Sequence, residues 1–113
     1  MQKCSLVIDL GFGDAGKGLT TDFLASQCPQ KSIIVRFSGG HQIGHTVSTK
    51  ELTHTFSNFG SGTLLGVPTY YTENTTLFPP GILKEGNFLK TYQPKLYLNP
   101  LAMVTTIYDI AYN

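Results

Sequence analysis

The run S-L-V-I-D-L-G-F-G-D-A-G-K-G, residues 5–18, sets a short apolar stretch against a glycine-rich turn that holds one carboxylate and one lysine. Residues 5–10 have the length and composition of a buried strand, and residues 19–27 continue as a helix with Leu19, Phe23 and Leu24 facing inward. A strand, a glycine turn and a helix start aim backbone N–H groups and the positive end of the helix dipole at one place, where an anion is stabilised. A phosphate cradle in an α/β fold is the expectation.

Three patterns overlap in this loop. Gly11, Gly13 and Gly16 satisfy the dinucleotide fingerprint, and the next strand, residues 32–37, carries Arg36 about 20 residues on, where a 2′-phosphate partner sits in NADP-binding folds. Residues 11–17 also fit G-x-x-x-x-G-K, but Gly18 stands where a hydroxyl ligates magnesium. Asp14 is then the nearest oxygen donor. A carboxylate inside the loop repels bare pyrophosphate, so it makes sense with a metal or as a base.

The second constellation is G-G-H-Q-I-G-H-T, residues 39–46, directly after the arginine-bearing strand. Parallel neighbouring strands bring both loops to one carboxyl edge of a sheet, where open α/β folds bind ligands. His41 and His45 have the i, i+4 spacing of helical metal ligands, yet the glycines oppose a helix and so a structural zinc site.

The two motifs in register, G-D-A-G-K-G and G-G-H-Q-I-G-H-T, resemble the amino-terminal part of the adenylosuccinate synthetase family, where they read G-D-E-G-K-G-K and G-G-H-N-A-G-H-T. T-T-L-F-P-P-G-I-L-K-E at residues 75–85 and I-Y-D-I-A-Y at residues 107–112 are similar to later family segments. The resemblance implies an α/β fold with a mostly parallel sheet and a P-loop-like phosphate loop, residues 1–113 being the amino-terminal segment of a larger domain. It also implies a ligase of purine biosynthesis that joins IMP and L-aspartate at the expense of GTP, with Mg2+; the sequence shows no apolar span of membrane length and no signal-peptide pattern, so the cytoplasm is the expected compartment.

Carried over by residue, the resemblance makes Asp14 the general base and a magnesium ligand. His45 is the acid at the transferring phosphoryl group, Lys17 neutralises phosphate charge, and the Gly44 carbonyl completes the metal shell. Gly13, Asp14, Ala15, Gly16, Lys17, Gly18 and Leu19, with Gly44, His45 and Thr46, line the GTP phosphates. Asp14, Ala15, Gly16 and Lys17, with Gln42, Ile43, Gly44 and His45, touch IMP. The sequence departs from the family at Ala15 (Glu), Leu19 (Lys), and Gln42-Ile43 (Asn-Ala), which opens the identity of the purine nucleotide and allows a divergent paralogue. Two other readings use part of the same residues: an NADP-binding oxidoreductase domain on Gly11, Gly13, Gly16 and Arg36, which leaves Asp14 and the second loop without a purpose, and a non-catalytic nucleotide-binding fragment.

Composition sets bounds. The chain has 113 residues, 41% apolar and 13% charged. That charge is well below the roughly 25% of ordinary soluble domains, so surface awaiting cover, and a homo-oligomer, are expected. A net charge of +1 and the lack of a basic run exclude strong non-specific attraction to nucleic acid or membrane. Cys4 and Cys28 match no metal spacing and read as packing thiols. Arg36 is the only arginine, so the segment alone is expected to be inactive: one guanidinium cannot grip GTP, a monophosphate and a dicarboxylate.

Along the remaining chain, residues 46–56 predict a hairpin turning at 49–51, with Leu52, His54 and Phe56 on one face. Residues 57–69 read as a Gly, Ser and Pro loop, 72–77 as a weak strand, 79–91 as a poor helix interrupted by Gly81 and Gly86, and 95–98 as a strand. Asn99 and Pro100 predict the start of a helix with Leu101, Val104, Tyr108 and Ala111 on one stripe. Asn74-Thr75-Thr76 matches a glycosylation sequon, without meaning in the cytoplasm.

Overall fold

The computed structural model describes residues 2–37, 39–40 and 44–112. Its elements run α1 (Lys17–Ser26), β1 (Ile34–Arg36), β2 (His45–Ser48), β3 (Thr53–Phe56), β4 (Thr69–Tyr71), α2 (Pro79–Phe88), β5 (Leu96–Leu98) and α3 (Ile107–Tyr112). Strands β1, β4 and β5 form a parallel sheet in that order, and β2 pairs with β3 as an antiparallel hairpin. The fold is α/β with a mostly parallel sheet, as expected.

The hairpin forms where alternation predicts it. His45 and Val47 turn inward from β2, Phe56 lies opposite His45, and Thr49 closes the turn by donating to and accepting from Leu52. Val47, Phe56, Phe59 and Leu89 make the core, with Leu64, Ile82, Tyr92 and Leu96 packed on it. The sheet is one-sided. Thr69 and Tyr71 are buried, whereas Val35 and Tyr97, which flank Tyr70 in one cross-strand row, are 54% and 55% exposed.

Several expectations are corrected. Residues 5–10 form no strand, and Leu6 and Leu10 are 82% and 91% exposed. A strand exists through its ladder, and among the described residues no strand pairs with them. In α1, Leu19 and Phe23 point outward, and the helix packs through Gly18 and Ala25. These two are seven residues apart on one stripe, and their small side chains let the helix backbone close on the hairpin and on the 3₁₀ turn Ser61–Leu65.

The 57–69 loop carries a 3₁₀ turn, Ser61–Leu65, and is buried over Asn58 to Thr63. The weak strand of 72–77 begins earlier, as β4, and continues only as isolated bridges at Thr75 and Leu77. The last helix starts not at Pro100 but after Thr106. There the Thr106 hydroxyl accepts from Asp109 N–H while the Asp109 carboxylate accepts from Thr106 N–H, a reciprocal cap. Asn99 instead closes a turn onto Leu101.

The helix with two glycines does form. Pro79 and Pro80 occupy its first positions, where no N–H is needed. A Cβ on Gly86 would lie 3.3 Å from the Phe59 ring, and one on Gly81 3.4 Å from the Asn58 amide. The glycines weaken α2 locally and let it close on the core.

Candidate functional site

The phosphate loop has the backbone its glycines predict. Gly13 and Gly16 have φ of 98° and 81°, and Asp14 adopts 55°, a left-handed conformation that Asp tolerates better than most residues. No side chain caps α1, and its first helical bond runs from Thr20 N–H to the Gly16 carbonyl at 3.0 Å. The N–H groups of the first turn have no acceptor within the helix itself, the arrangement that suits an anion. Gly13, Asp14, Ala15, Gly16 and Lys17 are all exposed.

Among the described residues the two loops meet where Gly18 packs on His45. A Cβ on Gly18 would stand 2.8 Å from His45 Cβ and 3.3 Å from two ring carbons. Gly18 therefore stands where a P-loop hydroxyl is usual because the imidazole takes that space. The juxtaposition arises from α1 packing on the hairpin rather than from neighbouring strands, since residues 5–10 form none.

His45 stacks on Phe56, ring centroids 5.5 Å apart. Burial, helped by the positive charge of Arg36, lowers its pKa to about 4, with Glu85 and a backbone hydrogen bond at Phe59 opposing. At neutral pH the ring is uncharged. It can polarise an oxygen by donating one N–H, the neutral-imidazole mode, but holds no extra proton to release as an acid. Its Nε2 is buried and has no hydrogen-bond partner among the described residues.

Of the other expected residues, Leu19 and Gly44 are exposed, and Thr46 lies on the outer face of the hairpin, where its hydroxyl meets that of Thr55 at 2.9 Å. His41, Gln42 and Ile43 lie outside the described residues. Arg36 donates to the Ser57 carbonyl at 2.5 Å, the Asn58 carbonyl at 3.2 Å and the Tyr71 hydroxyl at 2.8 Å, and its guanidinium lies over the Tyr71 ring. It is thus committed inward and does not serve as a 2′-phosphate partner.

Sequence reasoning passed over four groups. Asp9 holds Lys17 Nζ and Gly11 N–H, each at 2.8 Å. Glu85, buried on α2, accepts from Ser57 N–H, from both Asn58 nitrogens and from the His54 ring. Asn58 joins Glu85 to Arg36 through its own carbonyl, on which the Tyr71 hydroxyl also bonds. Thr72, Thr75 and Thr76 tie the chain after β1: they donate to the carbonyls of Arg36, Phe37 and Gly39. The hydroxyl density of T-E-N-T-T was the available signal.

Among the described residues no three His, Cys, Asp or Glu side chains gather as a metal-binding group, and no helix is long and apolar enough to cross a membrane. The family model for adenylosuccinate synthetase matches residues 6–111. The chain is similar to adenylosuccinate synthetase of Thermoplasma acidophilum, 34% identical over 94 residues, covering 83% of this chain and 21% of that protein. The corresponding protein of Thermoplasma volcanium is 33% identical over 88 residues, 78% of this chain and 20% of that one. That of Uncinocarpus reesii is 30% identical over 113 residues, 88% and 24%. The chain spans about a fifth of the length of these curated relatives.

Proposed function

The chain belongs to the adenylosuccinate synthetase family, a family of ligases, and from that premise we propose that it is the amino-terminal, phosphate-handling segment of an enzyme that joins IMP to L-aspartate with GTP in the cytoplasm. Asp14 removes the purine ring proton while the exocyclic oxygen attacks the γ-phosphorus and GDP leaves. The aspartate amine then displaces the phosphate. Lys17 and the first-turn N–H groups of α1 hold phosphate oxygens, and His45 donates its N–H to the transferring group. Such chemistry needs positioned donors more than covalent help.

The observation that carries this reading is the buried Nε2 of His45, which has no partner among the described residues, on a ring packed against Gly18 of the glycine-rich loop. Buried polar atoms are rarely left unpaired, and here the neighbouring loop is built to receive an anion. The donor set fits magnesium: a carboxylate, Asp14, and a carbonyl, Gly44, are hard oxygen ligands, and magnesium is usually held by one or two carboxylates together with substrate phosphates. When bound it neutralises phosphate charge.

The segment alone does not complete the reaction, because its single arginine is engaged by carbonyls. The enzyme acts as a homo-oligomer, and departures at Ala15, Leu19 and Gln42 mark where nucleotide choice is set. The test is Asp14→Asn in a full-length protein carrying this segment. Turnover falls at least about 10²-fold, the lower end for loss of a positioned base, with the fold retained. Unchanged turnover would remove Asp14 from the mechanism.

A further inference from the structure

We propose that Asp9 is a resident anion of the phosphate loop that makes it select metal-complexed over metal-free polyphosphate; this rests on the reading that the loop binds phosphate. One carboxylate oxygen of Asp9 accepts Gly11 N–H and the other accepts Lys17 Nζ, both at 2.8 Å. A loop N–H and the loop lysine are the two kinds of donor that a phosphate oxygen takes. The Asp9 side chain is only 11% exposed, so it sits in the cradle rather than over it. Lys17, and then Gly11 N–H, hold its carboxyl below the usual range, and it stays ionised.

The charge count decides the consequence. Within residues 9–18 the ionised side chains are Asp9, Asp14 and Lys17, two negative against one positive. A bare polyphosphate must break the Lys17 pair and then face two carboxylates. A polyphosphate that brings a divalent cation meets oxygen donors instead, and Asp9, once released from Lys17, has a cation to face.

The test separates charge from shape. Asp9→Asn keeps an oxygen for Gly11 N–H, and so the turn, but removes the charge. The 113-residue chain is titrated with inorganic pyrophosphate, in chelator and in excess magnesium, following the backbone amides of residues 11–18 by NMR. Asp9→Asn tightens metal-free binding about fivefold, the scale of one partly exposed ion pair, and the gain shrinks in high salt. Binding with magnesium stays within about twofold, because the variant loses repulsion and a cation contact together. If Asp9→Asn binds metal-free pyrophosphate no tighter than the parent while Lys17→Ala weakens both forms, the phosphate reading stands and the role of Asp9 is overturned. If no condition moves amides 11–18, both fall.

Discussion

Replacing Gly18 by Ala sets two effects of opposite sign against each other. Gly18 lies in α1 with an ordinary helical backbone, so added helix propensity favours the variant by about 1 kcal/mol. Its new methyl, however, would stand 2.8 Å from His45 Cβ and 3.3 Å from the ring. Comfortable carbon contacts begin near 3.5 Å, so α1 and β2 must part by about 0.7 Å. His45 cannot swing aside easily, because β2 is laddered to β3 and the ring is stacked on Phe56. Overpacking of this kind costs about 1–3 kcal/mol, which exceeds the propensity gain and leaves a net loss near 1 kcal/mol. Urea denaturation of the 113-residue chain measures the loss, and the ring carbon shifts of His45 measure the displacement. Gly16→Ala is the control. It meets nothing within 4 Å but holds φ of 81°, so it loses about 1 kcal/mol through strain with the His45 ring unmoved. A Gly18→Ala chain more stable than its parent, with unchanged His45 shifts, would refute the contact.

Two further outcomes follow from the same geometry. His45 titrates near 4 when folded against 6.5 for an unperturbed histidine, so between these values the unfolded chain binds more protons. Stability is complete above pH 6.5 and is lost as the pH falls towards 4; between pH 7 and pH 5 the loss is about 2 kcal/mol, seen by urea titration and removed in His45→Gln. Glu85→Ala leaves the N–H groups of Ser57 and Asn58 unpaired and costs about 3 kcal/mol, whereas Glu85→Gln, which keeps acceptor oxygen, costs less; equal losses in thermal melts would contradict the acceptor role.

The backbone of the first loop was legible because its chemistry is local: glycines where φ is positive, a lysine at the start of a helix, a carboxylate in a left-handed turn. The hairpin was legible through the alternation of Leu52, His54 and Phe56. Residues 5–10 misled because apolar content predicts a strand only if a partner lies beside it. Leu19 and Phe23 misled because the packing face of α1 is chosen by how closely Gly18 and Ala25 let it approach, which periodicity in large residues does not reveal. The Arg36, Asn58 and Glu85 network was invisible for a related reason. Polar residues far apart in the chain are buried only because their donors and acceptors match in space.

The inward commitment of Arg36 has a kinetic consequence. On the proposed reading, Arg36 keeps its charge but aims its donors at carbonyls, Lys17 is paired to Asp9 and the net charge is +1, so the chain presents little concentrated positive charge to an approaching nucleotide. Encounter is then governed by diffusion and orientation, at about 10⁵–10⁷ M⁻¹s⁻¹, and changes little with ionic strength. If the proposed site holds, discrimination among nucleotides falls to residence time, to how long a phosphate stays once its oxygens have found the first turn of α1.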